Sequence, residues 1–438
     1  MSRRADVLVI GGGLAGWTAA IECAKLGLSV RIFDDPKRSG AIATRDIAGV
    51  HGVDVGFETF AIGDSVHELA IDLGIEIETL LPRHTFFRTH RAIAPMPRRV
   101  LAGLPSNPFA KDLAPFLPGP PLRAYADRVM PLLRLGRFTS VANVARARFG
   151  QKVLSDLTTP WCEALYGLGP ELVSLDRVAP TLNARMTQFG SASGAVASLG
   201  DSTARSVRLR DGATSLLLAL RKRATEYLVD CVDEAVGRLD RTESEWRVRS
   251  ESGEWTAPFV IAAVDPAQLG WDRVAGASDT VRNRLIVTAA VSVSRMPQAT
   301  GILNAGDGSI VSAARPGARS ERIRAELAED TDLIRVVLDP LRMRAEDESA
   351  ALTEAVAQLG GELKAVLEVD RTEWELLRPW VGLEDPEPGR PRTDETGSLE
   401  WTGQWASGPG GPEVVAHALE AARRIRRQAL DAKVQSGS

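Results

Sequence analysis

Three glycines near the start of the chain have the spacing of a dinucleotide-binding fingerprint. The apolar run 7–10 leads into Gly11, and Gly13 and Gly16 complete the pattern GxGxxG. In this pattern the first glycine permits a tight turn, the second lets the backbone approach a pyrophosphate, and the third lets a helix pack closely on a sheet. Asp34 follows about 20 residues later, where a carboxylate accepts hydrogen bonds from a ribose. These residues predict that the chain binds a dinucleotide.

The elements around these residues are the ones that such a site needs. The run 7–10 is typical of a buried strand, the small residues over 16–25 predict a helix, and Gly27 follows its end. Residues 29–33 predict a second strand, which ends at Asp34. The helix then directs its partly positive N-terminus at the phosphates. A doubly wound fold that binds no dinucleotide is the alternative to this interpretation.

A second junction of strand, glycine-rich loop and helix lies near the end of the chain. Residues 398–402 predict a short strand, and the loop over 403–412 is rich in glycine. Residues 413–430 predict a helix, with Pro412 at or near its first turn. A plain nicotinamide-binding domain leaves this junction unexplained. A second helix N-terminus indicates that another part of one long cofactor is bound here.

The two junctions and the blocks between them resemble the flavoprotein superfamily of protoporphyrinogen oxidase, flavin amine oxidase and phytoene desaturase. The first junction is similar to the FAD fingerprint of this superfamily. The block over 139–175 looks most like the porphyrinogen oxidase branch, which includes bacterial enzymes that act on coproporphyrinogen. The further blocks that carry the resemblance are 53–60, 73–75, 211–216 and 260–266.

This resemblance implies an α/β fold with an FAD-binding Rossmann-like domain of the GR2 type and an interleaved α+β substrate domain. The FAD-binding domain is expected to be discontinuous, with the segments 1–78, 200–275 and 385–432. The substrate-binding domain is expected over 79–199 and 276–384, and a frayed tail over 433–438. The chain is thus expected to cross between the two domains more than once.

The resemblance also implies which residues hold a noncovalently bound FAD. They are Gly11, Gly12, Gly13, Leu14, Ala15, Gly16, Asp34, Asp35, Arg38, Gly40, Ala41, Gly56, Phe57, Val236, Ala263, Gly403, Gln404, Trp405, Gly411, Val414 and Val415. The backbone at Val414 and Val415 is expected beside the oxygen edge of the flavin ring, where a helix N-terminus stabilises negative charge.

Three places depart from the FAD pattern, and at one of them the glycine expected in the last helix is Val415 or Leu419. Asp34 stands where FAD-binding members usually carry a glutamate, although the shorter side chain can still reach a ribose. The segment 40–42, which reads Gly-Ala-Ile, stands where they carry Gly-Gly-Arg, so an arginine that faces the phosphates is lost. Arg38 and Arg45 are the candidates to replace it.

Arginines are the candidates for substrate binding, because a porphyrinogen carries propionates and the arginine fork matches a carboxylate. The proline-rich region over 80–121 predicts a covering loop, in which the superfamily builds its pocket wall. Its candidates are Arg88, Arg91, Arg98 and Arg99, with a solvated surface charge as the alternative for each. The same alternative applies to Arg205, Arg208 and Arg210.

Catalysis is expected to be centred on the flavin, because a cofactor of this kind carries the difficult step. The candidates among the side chains are Trp405, Arg295 and His417, and His90 is a further acid–base candidate whose alternative role is structural. Arg295 follows a predicted strand in which the amine oxidase branch usually has a lysine. The absence of a lysine near this position lowers the support for amine oxidation.

The function that the resemblance implies is the FAD-dependent oxidation of a small molecule by hydride transfer to flavin, with O2 as the electron acceptor. The leading substrate is a porphyrinogen, either coproporphyrinogen or protoporphyrinogen. The first alternative is an amine oxidase or desaturase of specialised metabolism. The second is a degenerate, non-catalytic flavin-binding protein that serves as a partner subunit.

Composition excludes several other classes of protein. The 438 residues carry a formal net charge of -4, which argues against a nucleic-acid-binding surface, and the basic run 423–427 is interpreted as a solvated helix face. The 3 cysteines and 5 histidines show no metal-binding spacing, so no metal site is expected. No run reaches the ~18 apolar residues of a membrane helix, and a cytoplasmic protein is expected. The oligomeric state stays open, with a homodimer as one alternative.

Periodicity predicts the elements between the blocks. Apolar residues at helical spacing predict helices over 64–73, 140–157, 161–172 and 346–367. Strands are expected over 284–294 and 333–338, and a β-hairpin over 235–249.

Overall fold

The computed structural model describes residues 3–37, 40, 42–82, 84–119, 122–129, 139–179, 181–199, 206–271, 281–294, 299–306, 308–343, 348–377, 397–408 and 410–436. The predicted residues Arg38, Ala41, Arg205 and Arg295 lie outside these ranges. Within the described residues the chain forms a mixed α/β fold around two large sheets.

The β-strands are, in chain order, β1 Val7–Ile10, β2 Val30–Phe33, β3 Thr44–Ile47, β4 Val50–Asp54, β5 Phe60–Ala61, β6 Ile77–Thr79, β7 Thr85–Arg88, β8 Ile93–Pro95, β9 Val100–Leu101, β10 Leu104–Pro105, β11 Ser206–Leu209, β12 Asp230–Val232, β13 Val236–Arg241, β14 Trp246–Ser250, β15 Gly253–Ala257, β16 Phe259–Ala262, β17 Val281–Val293, β18 Gly301–Asn304, β19 Ile310–Ala314, β20 Thr331–Leu338, β21 Leu363–Leu377 and β22 Leu399–Trp401.

The α-helices are α1 Leu14–Ala24, α2 Ser65–Asp72, α3 Val141–Val144, α4 Gln151–Val153, α5 Thr159–Tyr166, α6 Leu175–Val178, α7 Leu182–Phe189, α8 Ala192–Ser198, α9 Thr214–Glu226, α10 Glu321–Glu326, α11 Glu348–Gln358, α12 Gln404–Ser407 and α13 Gly411–Ser436. Turns of π-helix lie at Ala145–Phe149 and Leu154–Thr158. None of the helices within the described ranges is both long enough and apolar enough to cross a membrane.

A five-stranded parallel sheet carries the first glycine turn. Its strand order is β12-β2-β1-β16-β22, and Val7 of the central strand lies opposite Val30 on one side and Phe259 on the other. Strands β1, β2 and β16 are buried along their whole length, which explains why their sequences are apolar runs and not alternating patterns. The five strands come from three separate stretches of the chain, and the predicted domain boundaries themselves stay a prediction.

The two faces of the parallel sheet are covered by different layers. Residues such as Val9 and Ile261 point to one face and pack with α1, α9 and α13. Their neighbours, such as Leu8 and Val260, point to the other face and pack with the antiparallel sheet β13-β14-β15. This antiparallel sheet contains the predicted hairpin over 235–249, which is confirmed.

Helix α13 is fixed to α1 by ion pairs as well as by packing. Arg423 and Arg426 lie 3.4 and 2.7 Å from Oε1 of the buried Glu22. The basic run is therefore only partly the solvated face that we expect from the sequence. The helix continues through Ser436, and Lys433 Nζ lies 2.7 Å from Asp6 Oδ2. Residues 433–436 are thus part of a helix, and the predicted frayed tail is wrong there.

The second large sheet has seven strands, in the order β21-β17-β20-β19-β18-β7-β8. It confirms the strands predicted over 284–294 and 333–338, which belong to β17 and β20. One face packs on α11. The other face meets the hairpin β3–β4 through apolar residues such as Leu333 and Val53.

The helices predicted over 140–157 and 161–172 are wrong as continuous elements. The first is broken at Gly150, whose φ is +88° and whose Cβ, if present, would lie 2.7 Å from Arg123 Cβ. Turns of π-helix lie on both sides of this break. The second ends at Tyr166, because Gly167 adopts a left-handed conformation with a φ of 62°. Both segments still pack into one core with Phe87.

The helix predicted over 346–367 is wrong beyond Gln358. Gly360 adopts a φ of +91°, which ends the helix. From Leu363 onward the chain forms β21 and pairs with β17, with Leu363 opposite Val293. The apolar residues that suggest a longer helix therefore serve a strand, since pairing along β17 overrides the local pattern.

Candidate functional site

The first glycine turn is shaped by contacts within the protein. Gly11 has a φ of +105°, and its N–H donates to the carbonyl oxygen of Phe33 at 2.8 Å. A Cβ on Gly11 would lie 2.7 Å from Val264 Cγ1, and a Cβ on Gly16 would lie 1.8 Å from the carbonyl oxygen of Gly11. Both positions therefore need glycine for the fold itself, whatever the chain binds.

Gly12 and Gly13 differ from each other in their surroundings. A Cβ on Gly12 would lie 1.9 Å from Asp34 Cγ, so the carboxyl group lies directly over this glycine. A Cβ on Gly13 would meet nothing within 4 Å. Gly13 is also the N-cap of α1, and no side chain caps that helix. An uncapped helix N-terminus beside open space fits the phosphates of a dinucleotide.

Asp34 is buried at the end of β2 and pairs with an arginine that the sequence does not predict. Nη2 of Arg221, on α9, donates to Oδ2 of Asp34. The guanidinium carbon of Arg221 also lies 5.7 Å from the centre of the Trp17 ring. The sequence gives no local signal for this ion pair, because the two residues are 187 positions apart.

The second glycine junction meets the first one across Ala263. The N–H of Ala263 donates to the carbonyl oxygen of Ile10 at 2.8 Å. Its own carbonyl oxygen would lie 3.0 Å from a Cβ on Gly11 and 3.7 Å from a Cβ on Gly403. That Cβ on Gly403 would also lie 3.7 Å from Ala15 Cβ. The structure thus brings together four predicted cofactor residues from three distant parts of the sequence.

The start of α13 is held by the block that follows β4. A Cβ on Gly411 would lie 2.5 Å from Phe57 Cε2, so the aromatic ring lies against this glycine. The Phe57 ring is stacked with that of Phe60 at a centroid distance of 6.1 Å. Ser65 Oγ donates to the carbonyl oxygen of Pro412. The predicted residues Phe57 and Gly411 therefore lie in contact.

The placement of the Val414 and Val415 backbone beside the flavin ring stays a prediction, and the structure shows how the two residues are packed. Val415 is 0% exposed and contributes its side chain to the core. The N–H of Val414 donates to the carbonyl oxygen of Gly410 at 3.0 Å, so this amide has its acceptor within the helical turn. Gln404 and Trp405 form the first turn of α12, directly after the second glycine junction.

A cleft of about 190 Å³ opens at the carboxyl ends of the parallel strands. Gly11, Asp35 and Val236, which are predicted cofactor residues, all line it. The other lining residues are Ile10, Phe33, Glu234, Ala235, Val264 and Gln268. Ligands of doubly wound folds bind at this edge of the sheet. Together with the open side of Gly13 and the carboxylate of Asp34, the cleft fits the adenosine part of a dinucleotide.

The four arginines predicted to bind substrate do not form one site. Arg88 lies 4.0 Å from a glutamate of α11, and Arg91 lies 3.5 Å from Asp156. Arg98 and Arg99 line a separate cleft of about 350 Å³. These arginines follow short strands and turns, so residues that are close in the sequence contact different partners.

Arg208 is a structural residue and not a substrate ligand. It is 0% exposed, and its Nη2 lies 2.8 Å from Asp54 Oδ2 and 3.1 Å from the carbonyl oxygen of Gly52. Its Nη1 lies 3.6 Å from Glu78 Oε2. Burial raises the pKa of Asp54, while Arg208 and the N–H of Ala213 stabilise the ionised carboxylate. The network ties β11 to β4 and β6.

The other candidates lie apart from one another. His417 Nδ1 is 3.3 Å from Thr402 Oγ1, beside the second glycine junction. His90 is exposed in the turn between β7 and β8, and Arg210 is exposed and lies 3.6 Å from Glu76. No group of three or more His, Cys, Asp or Glu side chains within the described part of the chain is placed to hold a metal ion.

A second ion pair that the sequence does not predict fixes the block around Phe57. Nη1 of Arg335, on β20, donates to Glu58 Oε2 at 2.6 Å. The side chain of Arg335 is 8% exposed and that of Glu58 is 22% exposed. The pair therefore holds Glu58 on the face of the seven-stranded sheet. Glu58 belongs to a block that the sequence identifies, but its partner lies 277 positions away.

Comparisons with known proteins agree with this geometry. Residues 9–70 match the family described as NAD(P)-binding Rossmann-like domain. Over 182 residues the chain is 25% identical to the coproporphyrinogen III oxidase of Propionibacterium freudenreichii subsp. freudenreichii. This match covers 40% of the chain and 34% of that protein, so the chain spans about a third of the length of this curated relative.

Two solved structures have the same fold over nearly the whole chain. One is from Exiguobacterium sp. 255-15 and is provisionally named a protoporphyrinogen oxidase; its TM-score is 0.74 at 16% identity, covering 98% of this chain and 99% of that one. The other is cyclohexylamine oxidase from Brevibacterium oxydans IH-35A, with a TM-score of 0.65 at 17% identity, covering 97% and 99%.

These findings confirm the fold class predicted from the sequence, a Rossmann-like domain within an FAD-dependent oxidase fold. The partial sequence match agrees with the predicted resemblance to porphyrinogen oxidase-like proteins, and the two solved structures show a shared fold. The sequence relative and both structural neighbours are named as oxidases.

Proposed function

We propose that this protein binds FAD noncovalently and dehydrogenates a porphyrinogen, with O2 as the electron acceptor. The observation that carries the proposal is the meeting of the two glycine junctions across Ala263. In this proposal one long cofactor would contact two helix N-termini, at α1 and at α13. The sequence relative supports the substrate class, because it is named a coproporphyrinogen III oxidase.

The first junction is the proposed site of the adenosine half of the cofactor. The open backbone at Gly13 and the uncapped N-terminus of α1 would bind the pyrophosphate. Asp34 would accept hydrogen bonds from the ribose, and the cleft lined by Asp35 and Val236 would take the rest of the adenosine. These residues are the ones that form the predicted fingerprint, so the fingerprint and the proposed adenosine site coincide.

The second junction is the proposed site of the ring end of the cofactor. The start of α13, held against Phe57 by Gly411, would place a partly positive helix N-terminus near the ring. FAD, when bound, supplies the two-electron acceptor that a dehydrogenation needs. The chain binds and orients the two reactants, and its positive helix terminus stabilises negative charge.

Arg98 and Arg99 are the proposed carboxylate ligands of the substrate, because these two of the four candidates share a cleft. His417 is a titratable side chain beside the second junction and is the proposed candidate for an acid–base role. Arg88 and Arg91 already face carboxylates of the protein, which lowers their value as substrate ligands.

The test is the anaerobic addition of coproporphyrinogen III to the flavin-loaded protein. The proposal predicts loss of the flavin absorbance, and porphyrin fluorescence above the rate without enzyme once air is admitted. Heat-denatured protein is the control for spontaneous oxidation of the substrate. Cyclohexylamine is the parallel probe, and absorbance loss with this amine alone would contradict the porphyrinogen assignment and favour amine oxidation. No response to either compound would favour a non-catalytic flavin-binding protein.

A further inference from the structure

The acid of the first junction is shorter than the acid usual in this fingerprint. Asp34 is 8% exposed and replaces the glutamate that FAD-binding members carry. Its carboxyl group lies over Gly12, where a Cβ would be 1.9 Å from Cγ and 2.0 Å from Oδ1. An aspartate in this position reaches less far from β2 than a glutamate, because its side chain lacks one methylene group.

An arginine approaches this acid from another part of the chain. Arg221 donates from Nη2 to Oδ2 of Asp34 and thereby fixes one of the two carboxylate oxygens. Its guanidinium group lies over the ring of Trp17 at 5.7 Å, and Trp17 follows the glycines in α1. The side chain of Arg221 is 49% exposed, so it is anchored at the acid while about half of it stays in contact with solvent.

The arginine that the fingerprint usually supplies after the acid is missing here. Of its two predicted replacements, Arg45 is engaged elsewhere: it lies 3.5 Å from Asp370 and donates to the carbonyl oxygen of Thr44 at 2.9 Å. Arg38 lies outside the described residues. Arg221 therefore brings a cation to the first junction from α9 and not from the loop after β2.

We infer that Arg221 is a positioning residue, which holds Asp34 so that this shorter acid can bind the ribose of the cofactor. The charge-assisted bond to Oδ2 restricts the carboxylate to one orientation and leaves Oδ1 to accept from a hydroxyl group. The inference rests on the proposed function, because it needs a cofactor with a ribose at this place. Arg221 acts through Asp34 and contacts no reacting atom.

A double-mutant cycle on FAD affinity tests this inference. The cofactor-free protein is titrated with FAD, and binding is followed by the quenching of FAD fluorescence, with Arg221→Met measured both in the natural chain and in the Asp34→Glu variant. We expect Arg221→Met to weaken FAD binding about 10-fold in the natural chain, as for the loss of one charge-assisted bond. In the Asp34→Glu variant we expect a change of less than about 2-fold, because the longer acid reaches the ribose without help.

Arg223→Met is the matched control. Arg223 lies on the same helix and is also paired, at 3.5 Å with Asp72 and at 3.2 Å with Glu226. Its removal changes the charge of α9 equally and leaves Asp34 untouched, so FAD affinity should stay the same. Arg221→Lys should recover part of the affinity, since it keeps a cation near the carboxylate but loses the fork.

The outcomes separate the inference from the proposed function. If the natural chain takes up no FAD, both are contradicted. If it takes up FAD and Arg221→Met binds equally well, the inference alone is contradicted. If Arg221→Met weakened FAD binding equally in the natural chain and in the Asp34→Glu variant, the inference would also be overturned, because Arg221 would then act independently of the acid. If Asp34→Glu does not fold, Asp34→Asn takes its place, and Arg221→Met should then have no further effect on FAD affinity.

Discussion

The first glycine turn and the region of the candidate arginines differ in how well the sequence predicts the contacts of their residues. In the turn, the glycines lie where the fingerprint predicts, and distances such as 1.8 Å from a Cβ on Gly16 to Gly11 show why. Among the arginines, Arg88 and Arg91 pair with separate carboxylates, and Arg208 is buried in the fold. The spacing of these glycines is a property of one turn, even though Val264 also limits Gly11, whereas the role of an arginine depends on a partner anywhere in the chain.

The largest effect is expected at Gly16, where a side chain meets the backbone of the turn. Gly16→Val should prevent folding, because the added Cβ would lie 1.8 Å from the carbonyl oxygen of Gly11, which cannot move without breaking the turn. The measurement is soluble yield and far-UV circular dichroism. A folded Gly16→Val protein with a normal melting temperature would contradict the close approach of α1 to the turn.

A large loss of stability is expected at Arg208, the arginine that the structure assigns to the fold. Arg208→Met leaves the buried carboxylate of Asp54 without its cation, which should lower the free energy of unfolding by ~3–5 kcal/mol. Urea unfolding measures this change. Arg210→Met is the control, because Arg210 is exposed and its pair should contribute under about 1 kcal/mol. Equal effects of the two changes would break the distinction between the two arginines.

Within the same turn, Gly13 is expected to be needed for FAD binding and not for folding, in contrast to Gly16. Gly13→Val should fold, because its Cβ meets nothing within 4 Å, yet lose FAD binding by about 100-fold or more, because the new side chain occupies the space of the pyrophosphate. Gly308→Val is the control, since this glycine is equally open and lies in the loop between β18 and β19. Yellow holoprotein from Gly13→Val at normal yield would refute the placement of the pyrophosphate.

The smallest effect is expected from the two arginines that share a cleft. Arg98→Gln and Arg99→Gln should each raise KM for coproporphyrinogen III by roughly 3–10-fold with kcat nearly unchanged, since a partly exposed ion pair is worth about 1 kcal/mol. Arg88→Gln should leave KM unchanged, because Arg88 faces a glutamate of the protein. If Arg88→Gln raised KM more than Arg98→Gln or Arg99→Gln did, the substrate would have to bind at Arg88 instead of in the cleft of Arg98 and Arg99.

The features that could be predicted from the sequence are those that local physics decides. The strand, turn and helix around Gly11, the second junction at Gly403 and the buried strands β1 and β16 all follow from composition and spacing within short windows. The contact between the two junctions was also within reach, because the resemblance implies one cofactor that touches both.

The features that could not be predicted depend on distant partners. The pairs Arg221–Asp34 and Arg335–Glu58 join residues 187 and 277 positions apart, so no sequence window contains both members. The start of β21 at Leu363 was missed for the same reason, since its strand conformation comes from pairing with β17. Such contacts decide which charged residues serve the site and which serve the fold.

The most direct test of the central claim is the flavin content of the purified natural chain. Its absorption spectrum is recorded, the protein is denatured by heat, and the released nucleotide is identified and quantified. If the two junctions hold one FAD between them, the protein shows flavin bands, and an equimolar amount of intact FAD appears in the supernatant. A colourless protein that takes up no FAD on addition of the cofactor would contradict the account.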